Sequence, residues 1–174
     1  MKTVKQCLLD RYLDLDLHRV WVSETERSAV FPLFNTLGQL VGYHQYRPDK
    51  SKTLNNHPYE GRYFTRVKEG EVAIGLIESL YLSKTLFLVE GLFDAARLTW
   101  HGYSAVACFS NNPKHLRSWL KLQRMLRPVV AVCDGDQAGR HLAKHGSSYH
   151  VMPENMDMGD APEEYVRNFL NDYE

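Results

Sequence analysis

The second half of the chain alternates short apolar runs with segments of helical periodicity. The runs at 86–89, 105–109 and 129–133 are typical of strands that are buried on both faces of a sheet. Apolar residues recur at helical spacing over 93–100 and 114–126, and the pattern predicts a third helix over 136–144 and a fourth short strand over 149–152. This alternation predicts an α/β fold with a parallel sheet flanked by helices over 84–170.

The first half of the chain has a different pattern. Val4, Leu8, Tyr12 and Leu15 lie near helical spacing and predict an amphipathic helix over 3–20. Two β-rich runs at 30–34 and 40–46 flank a glycine-bearing turn and predict a hairpin. An irregular loop is expected over 47–68 and a short helix over 71–82. The change of pattern divides the chain into a small N-terminal α+β subdomain, 1–82, and a second domain, 83–174.

Composition and charge exclude several classes of protein. Hydrophobic residues make up 44% and charged residues 24% of the 174, as in ordinary globular proteins. No apolar run approaches the ~20 residues of a membrane span, and no signal-peptide core follows the N-terminus. Three scattered cysteines without a C-x-x-C pair exclude a zinc ribbon and argue against a disulfide scaffold. These features predict a cytoplasmic protein that does not bind a membrane.

Charge is unevenly distributed along a chain whose 21 basic and 21 acidic residues balance. Residues 41–68 carry six Lys or Arg against two acids, and residues 109–133 carry five against none. Such segments form either nucleic-acid surfaces or ordinary solvated faces.

Acidic residues directly follow two of the predicted strands. Glu90 comes after the first apolar run, and Asp134 and Asp136 come after the third. The carboxyl ends of parallel strands are where such sheets place their chemistry, and these acids converge if the two strands are neighbours. Crowded carboxylates raise one another's pKa unless a cation neutralises them, and hard oxygen ligands suit Mg²⁺ or Mn²⁺. For each acid taken singly, the capping of a helix is the alternative interpretation.

Two sequence elements identify a family resemblance. V-E-G-L-F-D-A-A at 89–96 and V-V-A-V-C-D-G-D-Q-A-G-R at 129–140 resemble the TOPRIM (topoisomerase–primase) domain, and most closely the catalytic core of bacterial-type DNA primases, those of phages included. The segment 31–43 is similar to the hairpin that precedes this domain in primases, and 158–163 to the acidic segment that follows its last strand. The resemblance covers about 28–170 and implies a TOPRIM fold, with a parallel sheet flanked by helices, preceded by a helix and a hairpin.

The resemblance also implies roles for individual residues. Glu90, Asp134 and Asp136 would be catalytic and bind the divalent metals, with Asp160 as a further ligand and Asp94 as a supporting partner or a plain surface acid. The expected nucleotide- and nucleic-acid-binding residues are Arg47, Lys52, Asn55, Arg66 and Arg140, the last with a surface ion pair as its alternative. The chain departs from the family in lacking a zinc ribbon and in carrying Gly159-Asp-Ala-Pro where the family usually has Lys-Asp.

The implied function is that of a primase-type nucleotidyltransferase, which makes RNA primers on single-stranded DNA by Mg²⁺- or Mn²⁺-dependent phosphoryl transfer in DNA replication. Its partners would be the single-stranded DNA template and ribonucleoside triphosphates, with a replicative helicase or a separate zinc-binding protein as further candidates. Its location would be the cytoplasm of a bacterium, or of the bacterial host of a phage. The alternatives are a TOPRIM metal-dependent nuclease and a non-catalytic module that binds nucleic acid or a partner protein.

Overall fold

The computed structural model describes residues 1–52, 60–110, 112–135 and 139–173. Two of the predicted site residues, Asn55 and Asp136, lie outside these ranges. No helix in the described ranges is long and apolar enough to cross a membrane.

The first half of the chain forms a four-stranded antiparallel sheet. A short helix, α1 (Val4–Leu9), precedes strands β1 (Trp21–Ser23), β2 (Ser28–Phe34), β3 (Leu40–Tyr46) and β4 (Tyr63–Val67), which lie in the order β1-β2-β3-β4. The predicted hairpin is confirmed as β2 and β3. Its turn is held by the Asn35 side chain, which accepts the backbone N–H groups of Leu37 and Gln39, and by Gly38 at a φ of 75°.

Three predictions for this half are corrected. The N-terminal helix ends at Leu9, because Tyr12 adopts a left-handed φ of 58° that an α-helix cannot accommodate. The segment 47–68 contains β4, which pairs with β3. The helix expected over 71–82 is absent, because Ile74 and Gly75 form β-bridges to Phe34 and Ala107, which leaves only a 3₁₀ turn at Ile77–Ser79.

The second half forms the predicted parallel sheet flanked by helices. Its elements are β5 (Leu86–Val89), α2 (Leu92–Trp100), β6 (Ser104–Ala107), α3 (Arg117–Leu126), β7 (Val129–Cys133), β8 (Ser148–Val151) and α4 (Glu163–Leu170). The strand order is β6-β5-β7-β8, and every pairing is parallel. The helix predicted over 136–144 is a 3₁₀ helix at Gly139–His145 where the structure describes it. The predicted fold class is confirmed.

One hydrophobic core runs through both halves. Leu8 of α1, Phe31 of β2 and Tyr46 of β3 belong to the same buried cluster as Phe87 of β5 and Phe93 of α2. The antiparallel sheet therefore packs directly beside the carboxyl edge of the parallel sheet. The division at residue 82 stays a prediction.

Candidate active site

The two acidic motifs leave adjacent strands at one edge of the parallel sheet. Strands β5 and β7 are hydrogen-bonded neighbours, with Leu88 paired to Ala131. Glu90 follows two residues beyond this pair and Asp134 follows three, so both emerge at the same edge, and both remain partly exposed. Among the described residues, no group of three or more His, Cys, Asp or Glu side chains is placed to hold a metal ion. Asp136 lies outside the described residues.

Asp94 is held between the loops that follow β5 and β8. It lies in the first turn of α2, and its carboxylate accepts the backbone N–H of Gly91 at 3.1 Å and that of Gly159 at 2.8 Å. Burial, followed by the negative charges of Asp157 and Asp134, raises the pKa of Asp94 from 3.8 to about 7. Asp94 thus faces the acidic site and is not a plain surface acid.

Glycines allow these loops to pack closely. A Cβ on Gly135 would lie 2.8 Å from the backbone oxygen of Met152 and closer still to that of Pro153, and a Cβ on Gly159 would lie 3.1 Å from Asp94 Oδ1. The backbone after β8 can therefore pass directly against the loop after β7. This close approach brings Asp157 to the acidic site.

The two acids after β8 occupy different places. Asp157 lies beside Asp94, and its Oδ1 accepts the backbone N–H of Asp160 at 2.8 Å. The Asp160 side chain is 54% exposed and pairs with Arg11 at 3.3 Å. The metal-binding role predicted for Asp160 is untested, and the structure places Asp157, which the sequence analysis missed, nearer to Asp94. The one signal in the sequence that could have indicated Asp157 is the excess of acidic residues over 153–174, where seven Asp or Glu stand against one Arg, since no fixed spacing singles out Asp157.

A cleft lies between the acidic edge and the antiparallel sheet. It encloses about 160 Å³ and is lined by Arg11, His44, Lys52, Tyr63, Phe109, Asp157 and the turn 91–94. Lys52 thus lies where the sequence predicted a phosphate-binding cation. Arg11, His44 and Phe109 were not predicted. Arg11 stacks over Phe93, with its guanidinium carbon 4.3 Å from the ring centre.

The other predicted cations lie apart from this cleft or serve the local structure. Arg47 is half-buried, and its guanidinium donates to the Gly61 carbonyl and the Gln45 side chain. Arg66 is exposed on β4, directly after Thr65, whose hydroxyl bonds to His44 on the cleft side. Because successive side chains of a strand alternate between faces, Arg66 lies on the opposite face of the sheet. Arg140 is exposed on the 3₁₀ helix after β7.

The donor set suits a hard divalent cation. Glu90, Asp94, Asp134 and Asp157 supply only carboxylate oxygens, which Mg²⁺ and Mn²⁺ prefer. The raised pKa of Asp94 is the electrostatic consequence of burying one such group beside two others. A bound cation would reduce this repulsion, so the chemistry of these side chains suits a divalent metal. The described carboxylates do not by themselves form a group that could hold one, and Asp136 lies outside the described residues.

Comparison with known proteins gives an independent result. No family model matches the chain. A DNA primase of Aquifex aeolicus is 30% identical over 169 residues, which cover 91% of this chain and 31% of that protein. The chain therefore spans about a third of the length of the curated relative that it matches.

Solved structures of primase cores share the fold. The catalytic core of the Escherichia coli primase aligns with a TM-score of 0.56 at 18% identity, covering 94% of this chain and 56% of that one. The primase fragment of the bacteriophage T7 primase-helicase protein aligns with a TM-score of 0.59 at 14% identity, covering 83% and 61%. A DnaG primase catalytic domain bound to single-stranded DNA aligns at 0.57 and 17% identity, covering 96% and 60%. Over most of its length the chain is thus similar to part of a DNA primase, and it has the fold of primase catalytic cores.

Proposed function

We propose that this chain carries the catalytic centre of a primase-type nucleotidyltransferase, which synthesises RNA primers on single-stranded DNA from ribonucleoside triphosphates. Two observations support the proposal: Glu90 and Asp134 leave neighbouring strands at one sheet edge, and Asp134 and Asp157 lie close enough to Asp94 to raise its pKa. The chain is also 30% identical to a DNA primase over 169 residues. Carboxylates on rigid strand ends are well suited to fix the geometry of phosphoryl transfer.

Glu90, Asp134 and Asp136 are the proposed metal-binding residues. Asp157 is proposed as the further ligand, a role that the sequence analysis gave to Asp160. Divalent metal, when bound, lowers the pKa of the attacking 3′-hydroxyl and neutralises charge on the triphosphate. Asp94 orients the loops at 91 and 159 through its two backbone hydrogen bonds. The protein positions these charges and takes no covalent part in the reaction.

Lys52 and Arg11 are the proposed phosphate-binding cations, because both line the cleft that Asp94 and Asp157 also line. Arg47, Asn55, Arg66 and Arg140 stay candidates for binding the template further from the cleft. A replicative helicase and a separate zinc-binding protein are the proposed protein partners.

The test is incorporation of labelled ribonucleotides on single-stranded DNA with Mg²⁺ or Mn²⁺. Asp134→Asn removes a proposed metal-binding charge and is expected to lower synthesis by a factor of about 100 or more, which is the scale of losing a main electrostatic contribution in an active site. Asp172→Asn, an exposed acid on the last turn of the chain, is the matched control and is expected to synthesise normally.

Undiminished synthesis by Asp134→Asn would contradict the proposed role of the acidic edge. Cleavage of labelled DNA by the wild-type protein without any added nucleotide would instead support the nuclease alternative.

A further inference from the structure

The cleft wall that faces the acidic edge is built from stacked rings. His44 lies 5.1 Å from Phe109 at an interplanar angle of 30° and 6.0 Å from Tyr63 at 22°, measured between ring centres. Tyr63 in turn lies 6.2 Å from Phe93. All four rings line the same cavity. The carboxylates of Asp94 and Asp157 line the same cavity, which therefore combines flat rings with charged groups.

Phe109 reaches this wall through an unfavourable backbone conformation. Its φ is 53°, which is rare for a bulky side chain and costs on the order of 1 kcal/mol or more. The conformation is held by its N–H, which donates to the backbone oxygen of Glu90 at 3.0 Å. The ring lies directly over Gly75, where a Cβ would approach it to 2.8 Å. Strained conformations of this kind cluster at ligand-binding sites.

His44 is a buried polar side chain that lines the cavity. The residue is 6% exposed, and its Nδ1 bonds to the Thr65 hydroxyl at 2.8 Å. Burial lowers the pKa of His44 to about 4, so the imidazole is neutral at physiological pH.

We propose that His44, Tyr63 and Phe109 form a binding pocket for a nucleobase, with the His44 Nε2 bonding to the polar edge of the base. The proposal rests on the proposed function, since it places the base of a nucleotide beside the site of phosphoryl transfer. Aromatic side chains bind bases by stacking, with little dependence on the identity of the base. A hydrogen bond from the imidazole edge would add direction to this stacking.

Size and charge both suit a nucleobase. The cleft encloses about 160 Å³, and a closed cavity of about 150 Å³ in another protein holds one benzene ring. The space therefore accepts one planar ring system, while the sugar and phosphates would remain at the open side. Arg11 and Lys52 line that same cleft and supply the positive charge that phosphates require.

Direct binding measurements test the pocket without requiring catalysis. Titration calorimetry with Mg²⁺ would compare ATP, GTP, CTP and UTP with inorganic tripolyphosphate, which has the phosphates but no base. His44→Ala is expected to weaken the binding of nucleoside triphosphates about tenfold, as for loss of one stacked contact, and to leave tripolyphosphate binding unchanged. His44→Phe keeps a flat ring without the nitrogen, so it is expected to retain most affinity but to alter the order of preference among the four bases.

The control is His150→Ala. His150 is half-buried and bonds to the Tyr165 hydroxyl at 2.7 Å, away from the cleft, so its removal is expected to leave nucleotide binding unchanged. If His44→Ala fails to fold, judged by circular dichroism, the test uses His44→Phe alone.

A parallel titration with a fluorescent single-stranded oligonucleotide distinguishes the two possible sources of the base, the incoming nucleotide and the template. Weakening of triphosphate binding alone assigns the pocket to the incoming nucleotide, and weakening of oligonucleotide binding alone assigns it to the template.

Equal losses for triphosphates and tripolyphosphate would overturn the pocket, as would unchanged binding of both nucleic-acid ligands by both His44 variants. Failure of the proposed function is distinguishable. Absence of primer synthesis by the wild-type protein, with the base-dependent binding intact, refutes the polymerase and leaves the pocket standing.

Discussion

Replacement of Asp94 by asparagine is expected to stabilise the metal-free protein above neutral pH while lowering its activity. The pKa of Asp94 is raised from 3.8 to about 7, chiefly by burial and then by the charges of Asp157 and Asp134. The folded state therefore holds this proton up to a higher pH than the unfolded chain does. Its contribution to stability is complete below about pH 4 and is lost as the pH rises through 7.

The shift of about 3 pH units corresponds to a difference of about 4 kcal/mol in the free energy of unfolding. This is an upper limit, because Asp94 keeps part of its surface in water. Asparagine is neutral at every pH and resembles the protonated acid in shape. Asp94→Asn and wild type are therefore expected to be about equally stable near pH 4, and the variant should be more stable by up to about 4 kcal/mol near pH 8.5.

Urea unfolding in EDTA, followed by tryptophan fluorescence from pH 4 to 8.5, measures this difference. Asp49→Asn is the matched control, because its hydrogen bond to Arg27 lowers the pKa of Asp49, and its replacement should destabilise the protein at neutral pH. Parallel pH profiles for wild type and Asp94→Asn would refute the electrostatic reasoning. A gain in stability accompanied by full primer synthesis would show that the buried charge is not needed for activity.

Three further outcomes follow from contacts in the structure. Gly135→Ala is expected to cost about 2–4 kcal/mol, seen as a lower melting temperature, because the added Cβ would meet the backbone oxygens of Met152 and Pro153. Arg97→Ala is expected to cost about 3 kcal/mol in urea unfolding, because it removes a fully buried side chain. Arg97→Met is expected to cost less than Arg97→Ala, because methionine fills much of the same space and removes the buried Nε and Nη1 atoms that have no hydrogen-bond partners. Asp157→Asn is expected to lower primer synthesis by a factor of about ten or more. Asp160 is exposed, so Asp160→Asn is expected to stay within about twofold of wild type. A larger loss of synthesis for Asp160→Asn than for Asp157→Asn would instead support Asp160 as the metal-binding residue.

The parallel sheet could be predicted from the local sequence because two of its strands are recognisable without knowledge of their long-range contacts. The run Leu86–Val89 is buried at every position, and so is Val129–Cys133, so each is apolar throughout and easily recognised. The two strands that precede Glu90 and Asp134 are neighbours in the sheet, as the sequence-based hypothesis required, and the convergence of the two side chains stays a prediction. The local sequence is therefore enough to predict such a strand and the position of the acid that follows it.

Long-range contacts account for the predictions that were wrong. The segment 71–82 has helix-compatible apolar spacing, but Ile74 and Gly75 bridge two sheets, and the pairing with Phe34 and Ala107 overrides the local preference. Strand β4 was missed because Tyr63–Val67 lies among turn-forming residues and is held by pairing with β3. Asp157 and Phe109 acquire their positions from a close backbone approach and a left-handed φ, neither of which has a periodic pattern in the sequence.

The cleft draws its chemistry from both halves of the chain, and neither half contains the whole of it. Arg11 and Lys52 come from the first half, whereas Asp94 and Asp157 come from the second. Residues of both halves share one buried cluster, in which Phe31 meets Phe93 edge-on at 6.3 Å. The carboxylates alone would repel a triphosphate, and the cations alone would bind it without placing a metal beside it. Because the shared core fixes the distance between these two sets of charges, mutations that loosen the packing of Phe31 on Phe93 are expected to weaken the site even when they leave every charged residue in place.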